Sequence, residues 1–219
     1  LLRPQVRSLH RPRYINMIVV GWIISFLIGA LTSTIVALFY GMARRPNLLI
    51  VVGSKTSPDD PYRFLHVDVI NSPYGKWMSF FVTREIASFC RIRITITDTQ
   101  RNKSVIFNGR WTSKREPGTY VPGGLLPDLG EIHVIAREDI PPGESVEASI
   151  AVKHRGEVVC YGFNNESYMH TGWRDPVKEF GIGNHEVRVE VISSGQVFVR
   201  YFRLINPSNN LADFDLVLA

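Results

Sequence analysis

Ser88-Phe89-Cys90-Arg91-Ile92-Arg93-Ile94-Thr95-Ile96-Thr97 decides the fold of most of this chain. Cys90, Ile92, Ile94 and Ile96 alternate with Arg91, Arg93, Thr95 and Thr97. A period of two becomes one continuous apolar row only on a strand with one buried and one wet face. The same alternation recurs at Val146, Ala148, Ile150 and Val152 against Glu147, Ser149 and Lys153. It recurs again at Val187, Val189 and Val191 against Glu186, Arg188 and Glu190.

Turn residues lie between these rows. Arg101-Asn102-Lys103 follows the first, Arg155-Gly156 the second, and Ser193-Ser194-Gly195 the third, each placed to reverse the chain into a hairpin. The pattern predicts strands over 48–52, 62–70, 77–83, 88–98, 105–111, 131–137, 146–154, 157–163, 186–192, 197–205 and 213–218. Some of these merge or fail, leaving about eight or nine. No helical period follows residue 45. Short strands with Gly/Pro turns and no intervening helices predict a mainly β, antiparallel β-sandwich or barrel over 62–219. Its polar parities carry His66 and His154, which are predicted to be exposed.

Upstream the pattern changes completely. No charged residue occurs from Tyr14 to Ala43, and Met17–Tyr40 is dominated by Ile, Val, Leu, Phe, Gly and Ser. A helix of those 24 residues rises about 36 Å, enough to cross a hydrocarbon core of about 30 Å. The expected organisation is a basic segment at 1–15, one transmembrane α-helix at 16–43, a juxtamembrane tether at 44–61 and the β domain at 62–219. Gly41-Met42-Ala43 also offers small residues as a signal-peptidase site would, but the apolar stretch is far longer than a signal core of about 7–15 residues. An uncleaved signal anchor is therefore expected. Four arginines precede the span, against Arg44, Arg45 and Lys55 soon after it. That excess favours a cytoplasmic N-terminus and a β domain outside the cytoplasm, periplasmic or extracellular. Gly21, Ser25, Gly29, Ser33 and Ala37 recur every fourth position, a strip along which another helix could pack closely.

Composition narrows the function classes. The 219 residues carry 25 basic and 20 acidic side chains, yet six of the basic ones lie in the first 45 residues, which contain no acid. Residues 46–219 hold 19 basic and 20 acidic groups, a net charge of −1, so the basic character belongs to the flanks of the span. Nucleic-acid binding is not expected of such a domain. Two cysteines and 45% hydrophobic residues exclude a disulfide-stapled miniprotein and a disordered chain.

Two segments carry a resemblance. Asp139-Ile140-Pro141-Pro142-Gly143-Glu144-Ser145 resembles the turn before a late strand of immunoglobulin-like adhesion modules. Gly183–Val191, a hairpin and Phe202-Arg203-Leu204 are similar to their last two strands. The resemblance covers 62–219, implies an Ig-like two-sheet fold and implies no activity. Val158 stands where those modules carry their corner tyrosine, and Trp111 lies far downstream of Cys90. Cys90 and Cys160, 70 residues apart, leave two readings open: a disulfide between sheets, or buried thiols.

No catalytic, metal-binding or phosphate-cradling motif occurs: no His-Glu-x-x-His, Cys-x-x-Cys or nucleophile elbow. Asp213-Phe214-Asp215 could hold calcium or serve acid–base chemistry, though a solvated edge explains it as well. Asn102-Lys103-Ser104 and Asn165-Glu166-Ser167 fit the glycosylation pattern. Two long connections are more informative. Thr112–Leu129 contains Tyr120, and Phe163–Gly183 contains Tyr168, His170, Trp173 and Arg174. Connections of this length are often functional, and these residue types dominate contact surfaces. They either meet a partner or fold back over the end of the sandwich. The resulting expectation is a non-enzymatic single-pass membrane protein without cofactor, an accessory or structural subunit of a membrane assembly. Its partners would be the lipid bilayer and other transmembrane helices, in a homo-oligomer or a larger complex. The alternative is a membrane-tethered receptor-like module that binds a carbohydrate or small ligand through Trp173, Tyr168 and Tyr120.

Overall fold

The computed structural model describes residues 12–122 and 124–219, with side chains from residue 19 onward except that of Tyr120. Most of the basic segment, including Arg3, Arg7 and Arg11, lies outside the described residues, as does the side chain of Arg13. The chain divides into two compact units, Leu1–Arg45 and Pro46–Ala219.

The first unit is one helix, α1 (Pro12–Arg44). Its stretch Val19–Arg44 is 26 residues long, apolar and unburied, long and apolar enough to span a membrane. Its few hydroxyls turn inward along the helix: Thr32 donates to the Ile28 carbonyl at 2.8 Å, and Ser33 and Thr34 donate to that of Ala30 at 2.9 and 2.8 Å. Those three hydroxyls are thereby satisfied within the helix itself. Pro46 follows, where a missing N–H and ring clash stop the helix.

The second unit is built from β1 (Leu48–Lys55), β2 (Tyr62–Asn71), β3 (Ala87–Asp98), β4 (Lys103–Asn108), β5 (Arg110–Trp111), β6 (Gly118–Val121), β7 (Gly124–Pro127), the one-turn α2 (Leu129–Ile132), β8 (Glu138–Ile140), β9 (Ser145–His154), β10 (Cys160–Gly162), β11 (Glu179–Phe180), β12 (Gly183–Ser193), β13 (Gln196–Asn206) and β14 (Asp215–Leu218). One sheet runs β1-β2-β9-β10-β11, with β5 also on β9. The other runs β14-β13-β12-β3-β4, with β8 on β3, and β6-β7 form a separate hairpin. The pairings are antiparallel. Leu65, Val67, Val69, Ala148 and Ile150 of the first sheet and Ile92, Ile94, Ile96, Val187, Val189 and Phe202 of the second join in one buried cluster. The row that opens the sequence reading is therefore the middle of the core.

The predicted hairpins form. Ser193 pairs with Gln196 across Ser194 and Gly195, both at positive φ (46° and 80°), the backbone that a two-residue turn of this hand requires. The chain changes sheets at Gly109, whose N–H donates to the Ile92 carbonyl at 2.9 Å. A Cβ there would lie 2.6 Å from Ile92 Cγ2 and 2.8 Å from Ile94 Cδ1, so the crossover needs glycine.

Several expectations change. The stretch 44–61 is more than a tether, because β1 occupies Leu48–Lys55 and pairs along β2. Residues 77–83 form a short 3-10 turn at Met78–Phe80 instead of a strand, and 131–137 gives way to α2. Val152 does not share the face of Ala148 and Ile150. A bulge between Leu65 and His66 leaves Ile150 as an extra residue on β9, which reverses the parity beyond it. Val152 then faces outward into a second cluster, while Lys153 is fully buried and its Nζ donates to Asn206 Oδ1 and the Ser208 carbonyl. Burial pulls the Lys153 ammonium below its ordinary range, while Cys160 and Asp213 act the other way.

Cys90 and Cys160 are both free and buried, which overturns the disulfide reading. The register supplies the reason. Ile192 faces Arg91, so Cys90 sits beside Ser193 at one end of β12. Cys160 pairs with Lys153, which reaches Asn206, and Asn206 pairs with Gly183 at the other end of β12. Ten residues of strand separate those ends, roughly 34 Å, whereas a disulfide needs Cα atoms within about 7 Å. Burial pushes the Cys160 thiol up to about 12 and also raises that of Cys90.

Candidate functional site

The outer face of the first sheet carries a row of three polar residues. Ser149 of β9 pairs with His66 of β2 on one side and Arg110 of β5 on the other. The next row, Val67, Ala148 and Trp111, points into the core and is fully buried. Because strand side chains alternate, fixing Trp111 in the core fixes Arg110 on the outside.

That outside is not wet, because the connection after β10 folds back over it. Lys178 anchors the fold-back by donating to Asn164 Oδ1 and Glu166 Oε2, both at 2.9 Å, and to Asp175 Oδ2 at 2.6 Å. The Lys178 hydrogen bond holds the Glu166 carboxyl below its ordinary value. Burial would raise that of Asp175, but the bonds from Lys178 and from the Val177 N–H outweigh it and the net shift is downward. Asp175 also lies 3.7 Å from His170 Nε2. Gly172 and Trp173 are both in the left-handed region, at φ 62° and 60°. For tryptophan that conformation is strained and is held by its surroundings. The Gly172 carbonyl accepts from His154 Nε2–H at 2.7 Å.

The indole of Trp173 packs against Tyr62 (5.1 Å between centroids, 88°), Phe64 (5.2 Å, 61°), Phe163 (5.9 Å) and Tyr168 (6.2 Å). These rings belong to the second apolar cluster, with Val152 and Tyr161 beneath them. They line a cleft of about 230 Å³ together with His66, Arg110, Thr112, Glu116 and Ser149; the His66 ring stacks on Phe64 at 6.1 Å and the Arg110 guanidinium lies 5.9 Å from the centre of the Tyr168 ring. Arg110 and His66 are only 6% and 8% exposed. The Nη1 and Nη2 atoms of Arg110 donate to the carbonyls of Trp111 at 3.3 Å and Lys114 at 2.6 Å. Arg110 Nε and His66 Nδ1 make no hydrogen bond among the described residues. Burial holds the His66 imidazole below its ordinary 6.5; Glu147 opposes this and Arg110 adds to it, so His66 is neutral at pH 7.

Of the residues singled out by sequence, Tyr168 and Trp173 meet in this cleft. Tyr168 is buried and Trp173 half-buried, so they are packed into the fold. Arg174 instead pairs with Glu157 at 2.7 Å, and His170 lies at the edge. The side chain of Tyr120 lies outside the described residues. His66 and His154, expected to be exposed, are both buried by the fold-back. Asp213 and Asp215 do not act together: Asp213 accepts from Ser208 Oγ at 3.0 Å, and Asp215 is paired with Lys55. Among the described residues no three His, Cys, Asp or Glu side chains cluster as a metal site requires. Gly21, Ser25, Gly29, Ser33 and Ala37 lie on exposed helix surface. A larger recess of about 700 Å³ beside Arg115, Val134, Ile135 and Arg137 is wide open, and its Lys114 is already paired with Glu138 at 2.7 Å.

Sequence reasoning missed His66, Arg110, Ser149 and Phe64. One signal was present: on β2 both parities are bulky, with Tyr62, Phe64 and His66 on one side and Leu65, Val67 and Val69 on the other. A strand apolar on both faces is covered on both faces. In comparison with known proteins, no family model, no curated protein and no solved structure matches the chain.

Proposed function

We propose that this chain is a non-enzymatic, membrane-anchored recognition module. In this reading α1 crosses the bilayer once, the two sheets form an immunoglobulin-like sandwich outside the cytoplasm, and the aromatic cleft binds a small hydroxylated ligand such as a saccharide. The observation that carries it is a cleft walled by five aromatic rings, with His66, Arg110, Thr112, Glu116 and Ser149 in the same lining. Ligand hydroxyls suit such a lining, since they donate to a carboxylate or a neutral imidazole nitrogen and accept from a guanidinium or a hydroxyl. Glu116 in the lining and Glu147 beside His66 disfavour an anion. The aromatic faces suit the C–H side of a sugar ring, and the cleft volume is on that scale.

The test is a saccharide screen on the full chain in mild detergent, followed by titration of a hit against Trp173→Ala. Binding weakened at least tenfold in the variant supports the reading, while the absence of any saccharide hit counts against it. A second reading, an accessory subunit of a membrane assembly, is supported by the exposed strip Gly21, Ser25, Gly29, Ser33 and Ala37, where nothing in the structure lies within 4 Å of a Cβ built at Gly21 or Gly29. Mild-detergent affinity purification with intact-mass measurement separates the two. Co-purifying membrane proteins lost on Gly29→Leu favour the subunit, and a lone monomer favours the cleft.

A further inference from the structure

The connection between β2 and β3, residues 72–86, carries Trp77, Met78, Phe80 and Phe81 on the surface of the β unit. Trp77 is 70% exposed, Phe80 84% and Phe81 65%, and Ile86 and Phe89 just beyond are also exposed. The rings touch one another without being covered: Trp77 and Phe81 lie 6.1 Å apart and Phe80 and Phe81 5.3 Å. Bulky apolar groups in one contiguous patch mark a surface that meets something apolar.

The position of this patch says what it meets. Asn71 ties the two ends of the connection together: its Nδ2 donates to the Glu85 carbonyl at 3.0 Å, and its Oδ1 accepts from the Asn47 N–H at 3.3 Å. The Ser72 N–H donates to the Asn47 carbonyl at 2.9 Å. The patch thus rises from the end of the β unit at which the chain enters it. Asn47 is only three residues after Arg44, the last residue of the apolar helix, a covalent reach of about 10 Å. The composition also fits. Trp and Phe next to Lys76 and Arg84, with Arg44 and Arg45 at the helix end, are the residue types that sit at the headgroup level of a bilayer. The turn pairs part of its backbone internally, with the Met78 N–H donating to Gly75 and the Phe81 and Val82 N–H groups to Met78, all at 3.0 Å, which lowers the cost of an apolar surrounding.

We propose that residues 76–81 are a second membrane contact, with Trp77, Met78, Phe80 and Phe81 dipping into the interface of the same bilayer that α1 crosses. The proposal rests on the reading of α1 as a membrane span. Glu85, Asp139 and Glu144 at the same end offset Lys76 and Arg84, so apolar insertion drives the contact and it needs no anionic lipid.

The experiment uses the full chain in nanodiscs of neutral phosphatidylcholine. A polarity-sensitive fluorophore is placed at Phe80→Cys, at Leu31→Cys in α1, or at Val199→Cys on the outer face of the second sheet. Lipids carrying a spin-label quencher near the headgroup or deep in the acyl chain are then added. The native thiols, both buried, stay unmodified under non-denaturing labelling. The Phe80 probe is expected to be quenched at least twofold by the shallow quencher, the Leu31 probe by the deep one, and the Val199 probe by neither. A quenched Leu31 probe with an unquenched Phe80 probe overturns the interfacial contact and leaves the span standing. An unquenched Leu31 probe overturns the span and the proposal with it.

Discussion

The outer faces of the two sheets begin from the same alternation and end differently. On the second sheet, Arg91, Arg93, Glu186 and Arg188 lie on the face turned away from the core, where Arg93 and Arg188, each nearly half exposed, pair with the Glu190 carboxylate and cover it. On the first sheet the equivalent parity carries Tyr62, Phe64, His66, Ser149 and Val152, and a second apolar cluster seals much of it. Charged groups with long stems keep water on one face; rings on the other recruit a cover. The difference teaches that a polar residue in an alternating strand is wet only if nothing downstream is apolar enough, and anchored well enough, to lie over it.

The most severe way to break the comparison is to remove the anchor of the cover. Lys178→Met strands the buried Asp175 carboxylate, and chemical denaturation should show a loss of about 3–5 kcal/mol. Trp111→Ala, in the shared core beneath the site, should cost about as much, 3–5 kcal/mol, by the same assay. Gly109→Ala overpacks the crossover against Ile92 and Ile94, and a smaller loss of about 1–3 kcal/mol is expected. On the outer face of the second sheet, Arg93→Ala should change stability by less than about 1 kcal/mol, since Arg93 is itself 46% exposed and the buried Glu190 keeps its 2.6 Å pair with Arg188. A large loss there would mean that this face is also covered.

Acid sharpens the contrast. Burial holds His66 and His154 below the ordinary 6.5, so the unfolded chain binds their protons more readily. Their contribution is whole above pH 6.5 and declines as pH falls below it toward their lowered values. Asp175 and Glu166 are depressed from 3.8 and 4.5, so their contribution persists to lower pH, begins to decline only below those values and is lost as pH falls through the depressed ones. Two-step loosening of the Trp173 environment, first below 6.5 and then below about 4, is the expected fluorescence record. A single step would show that one of the two sets does not titrate with the cover.

Much of this was legible from the chain. The row at Cys90–Ile96, the hairpin at Ser193–Gly195 and the apolar run Met17–Tyr40 depend on neighbours in sequence, and each has the predicted structure. The errors share one origin. Unbroken alternation along β9 places Val152 in the core, but a bulge with no signature in β9 itself, only in its pairing with β2, turns it outward. Cys90 and Cys160 looked able to pair because 70 residues permit it, and only the register of β12 sets them at opposite ends. Trp173 and Tyr168 stand out by residue type, but whether they turn outward or inward depends on Lys178 and its three acceptors.

Sequence alone therefore determined an apolar helix long enough to span a membrane, a β-rich unit after it and the inward face of most strands, because period and length are local properties of a chain. Tertiary structure decided which outward residues stay wet, which nitrogens are left without partners and which end of the unit carries the exposed aromatic turn. Those outcomes arise from contacts between segments far apart in sequence, where one inserted residue or one buried ion pair reverses the result.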